Sequence, residues 1–177
     1  MLNKILVAYA TRYGSTQEIA ENVAQTLREQ GLQVDLQPLR QVQSLTGYSA
    51  VVIGAPLYLF HWHKDALSFL ARNRPALIEM PVAIFALGPW HNEEKEFQTV
   101  REQLDKELAN FAWLHPQAIE IFGGKFDPTK LTFPHNLLPA LKNMPYSDAR
   151  DWTKIRAWAN KLAAMFQPAM TQKEERV

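Results

Sequence analysis

Five short apolar runs alternate along this chain with stripes of helical spacing, and that alternation limits the fold more than any other feature. Ile5-Leu6-Val7-Ala8-Tyr9, Ala50-Val51-Val52-Ile53-Gly54 and Val82–Leu87 are continuous and apolar, as strands covered on both faces are. Ala118-Ile119-Glu120-Ile121-Phe122 supplies the fifth strand, and Leu32–Leu36 alternates strictly, which suits an edge strand with one wet face. Ile19, Ala20, Val23, Ala24 and Leu27 form one helical stripe, and Gly31 is placed to end it. Ala66, Leu67, Phe69 and Leu70 mark a shorter helix closed before Pro75; Phe97, Val100, Leu104, Leu108 and Phe111 mark a longer one. Trp152, Ile155, Trp158, Ala159, Leu162 and Phe166 form the last, with Asp148 or Asp151 as its cap and Trp158 in the core. Residues 42–48 are weakly patterned and read as a loop or a single helical turn. Strand–helix alternation predicts an α/β fold: a doubly wound, five-stranded parallel sheet of order 2-1-3-4-5. Length fits one domain over residues 1–170, with an insertion at about 123–150 and a frayed tail at 171–177.

In that order the switch point lies between the first and third strands, and ligands bind beyond the strands' carboxyl ends there. The loop leaving the first strand reads Thr11-Arg12-Tyr13-Gly14-Ser15-Thr16. Short hydroxyls around a glycine, ahead of a helix N-terminus, suit a bound phosphate: backbone N–H groups and hydroxyls donate, and the helix end is partly positive. Neither G-x-G-x-x-G nor a Walker G-K-S/T is present, so a phosphomonoester is expected rather than a dinucleotide or a nucleoside triphosphate. FMN is the leading candidate. The plainer reading is an ordinary helix cap at Ser15 or Thr16.

Two more loops must reach the same crevice. Gly54-Ala55-Pro56-Leu57-Tyr58-Leu59-Phe60-His61-Trp62-His63 follows the third strand, and Leu87-Gly88-Pro89-Trp90-His91 follows the fourth. Each places small residues or proline at the strand end and then an aromatic. Isoalloxazine is flat and mostly apolar and needs aromatic faces plus backbone bonds to its pyrimidine edge. Tyr58 and Trp90 are the expected faces, and backbone groups of Leu57, Leu59, Gly88 and Pro89 the expected edge contacts, with Pro56 and Leu87 at the strand ends. His61, His63 and His91 are expected near the crevice as proton relay, anion contact or exposed bystanders. No third ligand stands at a sensible spacing, so no metal site is expected. No side chain is assigned as an acid–base catalyst.

Absence of cysteine excludes disulfides, thiolate-held iron–sulfur clusters and a catalytic thiol, and is compatible with a cytoplasmic protein. No apolar run approaches a membrane span, and the N-terminus leads straight into a strand without a visible signal peptide. Net charge is +1, with 9 of the 19 basic and 5 of the 18 acidic residues in 125–177. The basic residues are dispersed, which argues against a nucleic-acid surface.

The chain resembles flavodoxin-fold proteins along nearly its whole length. Thr11, Tyr13, Gly14, Ser15 and Thr16 lie on the positions of the flavodoxin phosphate loop, although Tyr13 stands where a threonine is usual and Arg12 adds a charge. It is similar still more closely to the menaquinone-dependent protoporphyrinogen oxidase family, in Thr11–Thr16, in Val52-Ile53-Gly54-Ala55, and in Gly123-Gly124 followed by an insertion and Asp151-Trp152. Its insertion, Lys125 to Met144, has fewer basic and aromatic residues than that family's. The resemblance implies a flavodoxin-like FMN protein and an oxidoreductase whose partner is a quinone or a porphyrinogen-like compound. An electron carrier docking on a larger redox protein is the alternative, though highly acidic surfaces suit that role better than a charge of +1. A flavodoxin-fold interaction module without flavin is a third.

Within the insertion, Leu137, Leu138, Leu141 and Met144 read as the apolar face of a short helix with Pro139 in its first turn. That face is expected to cover the domain, to contact a membrane surface or lipophilic substrate, or to join subunits.

Overall fold

The computed structural model of the chain describes residues 4–174. In chain order it runs β1 (Lys4–Tyr9), α1 (Ser15–Glu29), β2 (Gln33–Pro38), β3 (Tyr48–Tyr58), β4 (His61–Trp62), α2 (Lys64–Arg72), α3 (Arg74–Ile78), β5 (Val82–Leu87) and α4 (Glu94–Leu108). There follow β6 (Ala118–Phe122), β7 (Lys125–Phe126), α5 (Pro139–Lys142), β8 (Ser147–Asp148) and α6 (Trp152–Glu174). The main sheet has the order β2-β1-β3-β5-β6 with every neighbouring pair parallel, which is the expected 2-1-3-4-5 once the short β4 is set aside. Tyr9 lies opposite Gly54, and Gly54 opposite Phe85.

Strand periodicity sorts the core into two layers. Ile5, Val7, Val52 and Phe85 face the α1/α6 side, where Ile19, Val23, Leu27, Ile155 and Leu162 are buried. Leu6, Ala8, Ile53 and Ile84 face the other side, against Phe69 and Leu70 of α2, Leu77 of α3 and Leu104 of α4. Phe85 and Phe122 each meet Trp158 edge-on and each other at a tilt, with ring centroids 5.5–5.9 Å apart. Trp158 is therefore core, whereas Trp152 is exposed beneath the Arg150 guanidinium, 4.9 Å from its ring.

Several details differ from the sequence reading. Beyond Gly54, β3 continues to Tyr58 and folds back through β4 as a hairpin. Its two-residue turn, Leu59-Phe60, has φ of 45° and 70°, the left-handed backbone of a type I′ turn. The helix at Ala66 closes at Arg72, before Pro75 as expected, but a further helix, α3, follows and accepts Pro75 in its first turn, where no N–H is missed. A three-residue 3₁₀ turn, Leu39–Gln41, precedes the loop at 42–48. Asp151 caps α6 by accepting the Lys154 N–H at 3.0 Å, while Asp148 pairs with Arg150. Pro139 opens α5 as expected, but Leu137 and Leu138 remain exposed. Of the tail 171–177, residues to Glu174 continue α6, and 175–177 lie outside the described residues.

Gly54 sets how the sheet ends beneath the crevice. A Cβ there would stand 1.9 Å from Cζ of Phe85, whose ring is locked by its aromatic neighbours. Gly54→Ala is expected to destabilise the fold by roughly 1–3 kcal/mol, the cost of overpacking a filled core. A lowered urea midpoint at unchanged m-value is the readout, and an unchanged midpoint contradicts this packing.

Candidate functional site

Because β1, β3 and β5 are parallel neighbours, the loops that follow them emerge together at one edge of the sheet. Thr11, Arg12, Tyr13, Ser15 and Thr16 line one part of a cleft there. Pro56, Leu57 and Tyr58 line a second part, and Leu87, Gly88 and Trp90 a third. The unfilled space is about 400 Å³.

The first loop owes its shape to one bond: the Gly14 N–H donates to Thr11 Oγ1 at 2.9 Å, with Gly14 at φ 90°. A left-handed residue is what glycine tolerates without strain. Gly14 is then the residue before α1, and no side chain caps that helix, so the expectation of Ser15 or Thr16 as an ordinary cap is not what the backbone adopts. No side-chain cap engages the first N–H groups of α1, at the positive end of a fifteen-residue helix. Ser15 Oγ accepts from the Lys125 N–H at 3.2 Å. Thr11 and Ser15 thus each spend an oxygen lone pair on the backbone and keep the hydroxyl proton to donate. Arg12 and Lys125 also line the cleft, and neither has an ion-pair partner among the described residues.

Of the other expected residues, Gly14, Leu59 and Pro89 do not line the cleft. Gly14 shapes the loop. Leu59 sits at the exposed hairpin tip. Pro89 is buried and gives its carbonyl to the Gly124 N–H at 2.7 Å, so that oxygen already has a donor. Glu96, at the start of α4, holds the third loop: its carboxylate accepts the N–H groups of Trp90 and His91 at 3.0 and 3.1 Å and meets His91 Nδ1 at 2.7 Å.

The insertion supplies a further wall. Gly124 and Lys125 enter the cleft, and Phe126 packs on Trp90 with ring centroids 4.9 Å apart. His135 stacks on Tyr58, 6.0 Å apart and 6° from coplanar, and its Nδ1 is 2.8 Å from the Tyr13 hydroxyl. The segment is tied down where it returns: β8 pairs with β7, and Arg150 bridges Asp148 and Glu18 of α1. Gly123 is needed at the junction, because a Cβ would sit 1.9 Å from the Ala149 carbonyl oxygen. The Gly-Gly of the sequence and the apolar residues Leu138 and Leu141 were the signals that pointed here.

His61, His63 and His91 do not converge on the cleft. His61 pairs with Glu107 at 2.8 Å, His63 caps α2 by accepting the Asp65 N–H, and His91 is held by Glu96. The hairpin leaves His61 exposed next to its turn, and His63, although its N–H donates to the Pro56 carbonyl at 3.1 Å beside the cleft, has its ring engaged at the start of α2. Burial pushes His63 below its usual range, and burial, then Arg12, does the same to His135. The hydrogen bond with Glu96 raises His91. Burial, then the neighbouring Tyr13, pushes the Tyr58 phenol up to about 12, against the pull of Arg12, so it is neutral at physiological pH. Among the described residues no three His, Asp or Glu side chains are grouped to hold a metal ion, and no helix is long and apolar enough to cross a membrane.

A family model described as a flavodoxin domain matches residues 6–145. The chain is similar to a protoporphyrinogen IX dehydrogenase [quinone] of Escherichia coli K12, 26% identical over 171 residues, spanning 90% of this chain and 94% of that one. Among solved structures it is similar to oxidised flavodoxin 2 from Bacillus cereus, with a TM-score of 0.57 at 18% identity over 93% of this chain and 98% of that one. It is also similar to rubredoxin oxygen:oxidoreductase from Desulfovibrio gigas, with a TM-score of 0.58 at 17% identity over 95% of this chain. It spans only 37% of that second protein's length.

Three histidines report their local electrostatics without any ligand. In an NMR pH titration, His91 is expected to titrate above 6.5, and His63 and His135 below it. A His135 midpoint above that of His91 would contradict the packing of the insertion on Tyr58.

Proposed function

The chain belongs to the flavodoxin domain family, and from that premise we propose that it holds FMN in the cleft and passes electrons or hydride between that flavin and an apolar partner, a quinone or a porphyrinogen-like tetrapyrrole. The observation that carries the reading is the phosphate end. A helix start without a side-chain cap, two hydroxyls with protons to give, and two unpaired cations stand around one cleft. A phosphoryl dianion satisfies these donors together, and no neutral ligand does.

Beyond the phosphate, each group has a task. Arg12 and Lys125 balance the dianion's charge. Tyr58 and Trp90 give faces to the ring, and Tyr58 stays a neutral phenol while doing so. Leu57 and Gly88 bring backbone groups to the ring's edge, and the insertion limits the access of water to it. When bound, a flavin supplies two-electron and one-electron transfer at a single centre; the protein contributes binding, orientation and field.

An oxidoreductase with an apolar partner fits better than a carrier steered by charge, because a net charge of +1 gives little long-range guidance. The rim points the same way: Leu59, Phe60, Phe133 and Leu137 are all more than 60% exposed. A cytoplasmic protein that meets its lipophilic partner at a membrane surface accounts for them.

The test is flavin titration of apoprotein. FMN is expected to bind at least about tenfold more tightly than riboflavin, since charge-assisted bonds to the phosphate carry the difference. Thr11→Val should weaken FMN by about 10- to 100-fold and leave riboflavin nearly unchanged. A protein that takes up neither, or binds both alike, would show that the cleft is no phosphate site.

A further inference from the structure

Beside the cleft lies a second, partly open pocket whose walls are mostly apolar. It shares Tyr13, Leu57, Tyr58 and Trp90 with the cleft, and the insertion closes it with Phe126, Leu131, Leu138 and Leu141. His135 is the one residue lining it that titrates in the neutral range. Its ring is fixed from two sides, by the stack on Tyr58 and by the bond between Nδ1 and the Tyr13 hydroxyl, which sets the direction of Nε2.

We propose that this cavity, beneath the insertion, binds an apolar hydrogen donor and that His135 accepts the proton this donor releases when it is oxidised. The inference rests on the FMN reading above and adds a location and a base to it. Oxidation of such a donor by two electrons breaks two bonds to hydrogen. One hydrogen leaves with its electron pair to the flavin, which is the oxidant. The other leaves as a proton, and the electrons of its bond form the donor's new double bond. Nε2 of neutral His135 takes that proton with its lone pair, in the tautomer whose Nδ1–H donates to the Tyr13 oxygen. The resulting imidazolium keeps its bond to Tyr13 and returns the proton to water.

Arg12, Tyr13 and Tyr58 are the titratable groups that face His135, and no carboxylate pairs with it among the described residues. Burial, the larger cause of its lowered pKa, therefore favours the unprotonated ring, ready to accept. Activity should rise with pH through a midpoint below 6.5 and then level off.

The experiment uses FMN-loaded protein and protoporphyrin IX as the binding probe, followed by its fluorescence, with protoporphyrinogen as donor. Leu138 is half exposed, so Leu138→Glu places a charge in the cavity wall without burying it in the core. It should weaken the probe by about tenfold or more while FMN affinity and the thermal midpoint stay unchanged. His135→Gln should bind the probe as the wild type does, but lose roughly 100-fold in kcat and lose the acid limb of the pH profile. His135→Phe should match it in both respects. Equal probe affinity in Leu138→Glu overturns the site, and a retained acid limb in His135→Gln overturns the base. If Leu138→Glu loses FMN as well, the cavity belongs to the flavin and the inference fails. A wild-type protein that takes up no FMN fails at the earlier step, and is told apart by that.

Discussion

Three strands buried on both faces carry everything at the cleft. Because β1, β3 and β5 lie side by side and parallel, their carboxyl ends cannot help delivering three loops to one edge. The packing that holds them is close enough to reject a methyl group at Gly54, where the Phe85 ring occupies the space. Positions of side chains on those loops therefore inherit the rigidity of the sheet rather than the freedom of the surface.

On that frame, polarity is divided sharply. One end of the cleft gathers donors and cations: the start of α1, Thr11, Ser15, Arg12 and Lys125. The other end gathers rings and aliphatics from two loops and the insertion. A ligand with a charged tail and a flat apolar head fits such a division. The insertion is bound in at both ends, by Lys125 N–H on Ser15 and by Arg150 between Asp148 and Glu18, so the apolar wall is registered against the polar end through α1 itself.

Much of the frame was legible because burial on both faces leaves a simple mark: an unbroken apolar run ended by glycine, proline or a hydroxyl. Alternation and handedness narrowed the strand order to a few topologies, and the expected 2-1-3-4-5 is the one the sheet adopts. The first loop was legible for a similar reason, since glycine and short hydroxyls leave few other uses for a strand-to-helix turn. What escaped was whatever depends on contacts distant in sequence. His135 acquires meaning only from Tyr13 and Tyr58, 122 residues away in the case of Tyr13, and no local period records that. His61 and His63 looked promising by position, yet the one pairs with Glu107 and the other caps α2, contacts that no local period records. Leu59-Phe60 carries none of the Asn-Gly chemistry that announces such a turn, so the hairpin was invisible.

That turn has a price written into its backbone. Two bulky side chains in left-handed geometry each cost roughly 1–2 kcal/mol relative to glycine. Asn-Gly in their place would relax the chain and, at the same stroke, make the lip of the cleft hydrophilic. Conformational ease and surface greasiness are thus set against each other at a single pair of positions, and an engineer who improves one surrenders the other.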